Sequence, residues 1–287
     1  MTGAQDDVAA PAEVGGGQVE DCAQRIAVRV RRHGEEQAAD DWVADEVPVA
    51  LVFNGVSHAV MLATPHDLED FALGFGLSEG IFASAADLYD CELDLAPQGI
   101  TVRMQVSSRS FAGLKQRRRT LAGRTGCGVC GTESLDQVLR PVPVVRAGVP
   151  VHARAIARAA REMRDRQRLC DATGAVHAAA WCSVDGAVQW LREDVGRHNA
   201  LDKLVGALAR IGLPRDAGFI AVTSRASVEM VQKAAVAGAP LLAAVSAPTL
   251  LAVETARAAG LGLVGLVRGD DLVVYANAHR IVLGNPN

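Results

Sequence analysis

The chain has 287 residues, of which 49% are hydrophobic, 22% charged and 4% aromatic, enough apolar material for one large globular unit or two modest ones. Its 29 Lys and Arg against 33 Asp and Glu give a formal net charge of −4, so no global positive field draws it to nucleic acid or to an anionic membrane, and any anion it binds must be held locally. Residues 1–17 carry Asp6 and Asp7 but no Lys, no Arg and no apolar stretch; they read as neither a signal nor a transit peptide, and the expected compartment is the cytoplasm.

Residues 1–20, rich in Gly, Ala, Gln and Asp without periodicity, are predicted to be a disordered tail. Alternation from Gln24 to Arg31 predicts a strand. Val47–Phe53, Asn54-Gly55 and Val56–Leu62 predict a hairpin, because Asn-Gly fills the positive-φ positions of a tight turn. Thr64-Pro65 predicts a helix start with Thr64 as N-cap, an apolar stripe of Leu68, Phe71, Ala72 and Phe75, and an end near Gly80. A strand at 99–106 follows. The run from Ser107 to Gly131 then sets Lys115, Arg117, Arg118, Arg119 and Arg124 among glycines and reads as a mobile basic loop.

A helix over 152–170 places Arg154, Arg158, Arg161, Arg164 and Arg168 on one face. With no matching acids, that stripe is either a solvated face or a surface for an anion or partner. A second hairpin is predicted around Asp185-Gly186, and a polar string from Arg192 to Lys203 runs into a helix that ends at Gly212. Strands at 217–223, 241–245, 261–267 and 272–276 then alternate with helices at 226–237 and 249–259, the pattern of parallel strands with helical crossovers. The uncharged run Ala234–Val253 is broken by Gly238, Pro240 and Pro248, so it reads as helix end, strand and helix start in place of a membrane span. Gly260, Gly262 and Gly265 spell G-x-G-x-x-G, but they leave a helix and enter a strand, the reverse of a dinucleotide fingerprint.

The six cysteines stand at 22, 91, 127, 130, 170 and 182, with one close pair, which is no disulfide framework. Cys127-Gly128-Val129-Cys130 precedes Thr132, a predicted N-cap for a helix through Leu139, and a thiol near a helix N-terminus ionises more easily. The pair could also be half of a zinc site, yet no second C-x-x-C or paired histidines complete one. A deaminase reading fails on Ala179, where His177-Ala178-Ala179 lacks the required Glu. Thiol chemistry is favoured and its kind stays open. Ser224-Arg225-Ala226-Ser227 falls between a strand and a helix, where hydroxyls, an arginine fork and free N–H groups hold phosphates or simply cap. Arg268-Gly269-Asp270-Asp271 ends the next parallel strand at the same edge, and its carboxylates either close a turn or read the donor edge of a guanine. Arg197-His198-Asn199 with Asp202 and Lys203 is too polar for an ordinary helix start and suggests a lined pocket.

Taken together, Gly126-Cys127-Gly128-Val129-Cys130-Gly131, Gly174-Ala175-Val176-His177, the string from Glu193 to Lys203, Ser224–Ser227 and Ala244–Thr249 resemble the FdhD family of formate dehydrogenase accessory sulfurtransferases. The resemblance implies an α/β fold, a cytidine-deaminase-like parallel or mixed sheet domain with a smaller N-terminal α+β region. Its expected divisions are a β-rich region at 21–110, the mobile basic loop at 111–131 carrying the cysteines, and an α/β cofactor-binding domain at 132–287. It implies a cytosolic homodimer that takes persulfide sulfur from a cysteine desulfurase and passes it to the molybdenum bis-guanine-dinucleotide cofactor, bound as substrate, for formate dehydrogenase. No tightly held metal, nucleic acid or membrane is implied. Carried over by position, Cys127 bears the persulfide and Cys130 shares or resolves it. Leu266, Val267, Arg268, Gly269, Asp270 and Asp271 align with the cofactor-binding stretch, and Ser224, Arg225, Ser227, Arg197 and His198 are the further candidates for the cofactor. A non-catalytic cofactor chaperone and a zinc-dependent hydrolase remain the alternatives.

Overall fold

The computed structural model describes residues 19–122, 142–145, 148–213 and 216–284. The expected tail therefore lies almost wholly outside the described residues, as do Cys127, Cys130 and the helix predicted from Thr132 to Leu139.

A 3-10 turn at Val19–Asp21 leads into an antiparallel ribbon of β1 (Ala23–Arg32) and β2 (Glu35–Ala44). The predicted hairpin forms as β3 (Val47–Phe53) and β4 (Val56–Ala63), with Asn54 at φ 44° and Gly55 at φ 79°, the two left-handed residues that such a turn demands. With β5 (Leu88–Ala96) and β6 (Gly99–Val106) they build a four-stranded sheet in the order β4-β3-β6-β5. Helix α1 (Leu68–Ser78) packs its Leu68, Phe71 and Phe75 into the same core as Val49, Leu51, Phe53 and Met104.

Thr64 does not cap α1. Its N–H donates to Asp194 Oδ2 at 3.1 Å and its hydroxyl accepts from the Val195 N–H at 3.1 Å, so the helix begins four residues later, with Asp67 in the left-handed region (φ 54°) at its N-cap. The segment predicted as a loop from Ser107 onward is helical over Ser108–Ala122 (α2). Its Leu, Lys, Gln, Arg and Ala residues are good helix formers, and the Ser107 hydroxyl accepts from the Ser110 N–H at 3.2 Å as the cap.

The second sheet has six strands in the order β13-β12-β11-β10-β8-β9. They are β8 (His177–Ser183), β9 (Val188–Asp194), β10 (Gly218–Val222), β11 (Leu241–Ala244), β12 (Gly262–Arg268) and β13 (Asp271–Ala276). Strands β10, β11 and β12 run parallel, while β8, β9 and β13 are antiparallel to their neighbours. Both faces are buried, which explains the unbroken apolar runs of the central strands. Ile220 and Val222 face helices α5 (Arg197–Ile211), α6 (Val228–Val236) and α7 (Leu250–Ala259), whereas Phe219 and Ala221 face helix α3 (Ala153–Arg166). A short helix α4 (Arg168–Thr173) follows α3, and β7 (Val151–His152) pairs with β14 (Ile281–Val282).

The two sheets share one hydrophobic core through the crossing of α1 and α5. Glycines permit that crossing: a Cβ on Gly74 would stand 1.7 Å from the Asp202 carbonyl oxygen, and one on Gly206 would stand 1.9 Å from that of Asp70. The protein is thus a mixed α/β fold. Among the described residues, no helix is long and apolar enough to cross a membrane.

Candidate functional site

The parallel strands β10, β11 and β12 end on one edge, where their loops lie side by side. Residues 223–227 leave β10, and Ala226 bridges Pro248 in the loop after β11, with the Thr249 N–H donating to the Ala226 carbonyl at 3.1 Å. The Leu266 N–H, near the end of β12, donates to the Ser246 carbonyl at 3.3 Å, which joins that strand to the loop after β11. Open α/β sheets bind ligands at this kind of edge, because backbone N–H groups of following helices point there.

Two helices begin at this edge without a side-chain cap. Ser227 occupies the N-cap of α6 and Gly196 that of α5, and neither helix has a side-chain cap bond; α7, by contrast, is capped by the Thr249 hydroxyl, which accepts from the Ala252 N–H at 3.3 Å. The Ser227 hydroxyl and the Arg197 Nε are buried and have no hydrogen-bond partner among the described residues. Buried polar groups of that kind are costly unless a ligand or water completes them. Nearby, His198 Nε2 lies 2.7 Å from Glu229 Oε2, and this contact holds the Glu229 carboxyl below its ordinary range. His177, at the start of β8, is pushed down by burial and then by the charges of Arg197 and His198. Together with exposed Arg225, the cluster is predominantly positive and suited to a polyanion.

The remaining candidates are placed less uniformly. Ser224 is buried and donates its hydroxyl to the Arg225 carbonyl at 3.0 Å. Leu266 takes φ 54°, an uncommon conformation for a leucine, and Val267 is buried against α3 with Ile156 and Met163, so that its side chain points into the core. Arg268, Gly269, Asp270 and Asp271 form an exposed turn with Gly269 at φ 60°. Asp270 is already engaged by Arg161 Nη1 of α3 at 2.9 Å. The arginine stripe, expected to lack acids, finds two on other elements: Arg158 pairs with Asp185 at 2.8 Å and Arg161 with Asp270 at 2.9 Å.

The polar string 193–203 divides into two kinds of residue. Glu193 caps α4, accepting from the Leu169 and Cys170 N–H groups at 3.0 Å each. Asp194 and Lys203 form an ion pair at 2.7 Å with both side chains fully buried. Asn199 donates to Asp194 Oδ1 at 3.0 Å and to the Leu62 carbonyl at 2.8 Å, and Asp202 receives both of its bonds from Lys233 Nζ at 2.8 Å. Only Arg197 and His198 of the string turn toward the edge, so the pocket expected of five polar groups is furnished by two. Glu229 and His177 complete it; Glu229 is 31 positions from His198, and no local pattern signals that meeting.

Comparison with known proteins agrees with this architecture. The FdhD/NarQ family profile matches residues 44–282. A sulfur carrier protein FdhD from Variovorax paradoxus (strain S110) is 62% identical over 241 residues, covering 84% of this chain and 87% of that protein. One of the same description from Cupriavidus necator is 57% identical over 256 residues, covering 89% of each. The crystal structure of a candidate formate dehydrogenase accessory protein from Desulfotalea psychrophila superposes with a TM-score of 0.72 at 25% identity, covering 91% of this chain and 100% of that one. On the extent of the profile match and these identities, the chain belongs to the FdhD/NarQ family.

Proposed function

We propose that the protein is a sulfur carrier for formate dehydrogenase maturation. In this reading it accepts a sulfane sulfur from a cysteine desulfurase on Cys127 and delivers it to a guanine-dinucleotide molybdenum cofactor, bound as substrate at the loop edge of the parallel strands. The observation that carries it is the edge itself, in a chain whose relatives are named sulfur carriers: buried Arg197 Nε and Ser227 Oγ without hydrogen-bond partners among the described residues, beside two uncapped helix starts. That arrangement suits the phosphates of a dinucleotide.

Loading is a thiol exchange. The Cys127 thiolate attacks the terminal sulfur of the donor persulfide, the donor's S–S bond breaks, and the donor leaves as a thiolate; sulfur changes hands with no net oxidation. Cys130 serves as the second thiol. Its attack on Cys127 Sγ releases hydrosulfide and leaves a Cys127–Cys130 disulfide, which a dithiol reductant reopens. The chain acts in the cytoplasm as a homodimer in this reading, and formate dehydrogenase is the enzyme served.

Incubation with a cysteine desulfurase and cysteine, followed by persulfide trapping and peptide mapping, tests the proposal. An added sulfur on the peptide containing Cys127, lost in Cys127→Ala, is the expected result. Absence of sulfur on the protein, with guanine nucleotide still bound, would replace it with a cofactor chaperone. Arg197→Ala and Arg225→Ala should each weaken GDP binding by about 1.5–3 kcal/mol, as for a hydrogen bond to a charged group.

A further inference from the structure

Away from the strand edge, the first two turns of α2 and the segment Gly80–Ala83 enclose a half-open cavity of about 230 Å³. Ile81, Phe82 and Leu114 form its walls at 7%, 3% and 1% exposure, and Arg109 and Ser110 stand at its rim. Phe82 is fixed there, because its ring atoms come within 2.1 Å of where a Cβ on Gly76 would lie. An apolar cavity of roughly 150 Å³ is enough to admit benzene, so this one accommodates a ring or a short alkyl chain.

Two features of α2 are unfavourable for the helix and face this space. Gly113 sits in the helix interior, where glycine is less favourable than alanine, yet a Cβ there would meet nothing within 4 Å. Packing therefore does not require a glycine; its effect is to leave the cavity wall open. Arg109 lies in the first turn, where the helix dipole disfavours a cation, and it has no ion pair among the described residues. The Ser110 hydroxyl accepts from the Ser107 hydroxyl at 3.0 Å, and Arg109 is the cationic group of the cavity lining.

We propose that this cavity is a binding site for a small apolar monocarboxylate, with the ring or alkyl body against Ile81, Phe82 and Leu114 and the carboxylate on Arg109. Asp87, which accepts from the Ser107 hydroxyl at 2.6 Å, already places an anion at the start of α2, so the ligand carboxylate pairs with Arg109 alone, and its body fills the space that Gly113 leaves. The site is separate from the proposed cofactor edge and does not depend on the sulfur-carrier reading.

Calorimetry on the full chain with benzoate and its neutral isostere benzamide tests it. Wild type is expected to bind benzoate saturably and benzamide at least tenfold more weakly. Arg109→Met should weaken benzoate at least tenfold, and Gly113→Leu, which fills the cavity while favouring the helix, should abolish binding. Arg225→Ala should leave benzoate affinity unchanged. The proposal is overturned if wild type shows no saturable benzoate binding, if Arg109→Met binds as wild type does, or if Arg225→Ala removes the binding. Should Gly113→Leu fail to fold by circular dichroism, the benzamide comparison and Arg109→Met decide between these outcomes.

Discussion

Asp194 and Lys203 face one another at 2.7 Å with no solvent exposure on either side chain, and both also hold Thr64, the residue that joins the four-stranded sheet to α1. Asp194 takes the Thr64 N–H at 3.1 Å and Lys203 donates to its carbonyl at 3.1 Å, so a single backbone position is clamped from both sides by one ion pair. The pair links the N-terminal sheet to the helix that carries Arg197 and His198.

Removing one partner strands the other charge in the core. Lys203→Met should lower unfolding free energy by about 3–5 kcal/mol, read by urea denaturation, while Asp194→Asn with Lys203→Met should recover part of that loss. Equal stability of Lys203→Met and wild type would show the pair to be dispensable.

The glycine crossing of α1 and α5 gives a second expectation. Gly206→Ala drives a methyl against the Asp70 carbonyl at 1.9 Å, backbone against backbone, so the helices must separate. A cost of about 1–3 kcal/mol or more is expected, with a matching fall in Tm, and Gly113→Ala on the open face of α2 should instead be neutral or stabilising.

The described cysteines have unreactive surroundings. Burial pushes the Cys22 and Cys91 thiols up to about 11, and it also raises Cys170 and Cys182. Thiolate is therefore scarce at these four positions near neutral pH, and brief treatment of the folded protein with iodoacetamide should label Cys127 or Cys130 first. Peptide mapping that finds Cys22 or Cys182 labelled equally fast would contradict the burial argument.

His66 and Asp67 predict a pH profile. Their hydrogen bond, with Nδ1 and Oδ2 3.1 Å apart, raises His66 above 6.5. Burial alone would lift Asp67, but the bond from His66 and the charge of Arg192 outweigh it and hold that carboxyl below 3.8. A raised histidine stabilises fully below 6.5 and loses its contribution as pH climbs through the raised value; a lowered carboxyl stabilises above 3.8 and loses its contribution as pH falls through the lowered value. The stability difference between wild type and His66→Gln should therefore be largest between 3.8 and 6.5 and vanish at alkaline pH. A difference that grows with rising pH would reverse the assigned sign.

Much of the architecture was written locally. Asn54-Gly55 and Asp185-Gly186 announce their hairpins because only certain residues accept a positive φ, and the alternation after residue 217 announces parallel strands because a strand buried on both faces must be apolar throughout. The candidate residues Ser224, Arg225 and Ser227 were legible for the same reason, since a strand end meeting a helix start is a local event. What tertiary structure decided is which polar residues are free to act. The string from Glu193 to Lys203 looks uniformly functional, yet Asp194, Asn199, Asp202 and Lys203 are consumed by partners at Thr64, Leu62 and Lys233. The arginines of α3 likewise look unmatched until the fold brings up Asp185 and Asp270. Sequence specifies the donor or acceptor at each position, but whether it is spent inside the protein or left for a ligand depends on groups up to 139 residues away, which only the folded chain brings within hydrogen-bond reach.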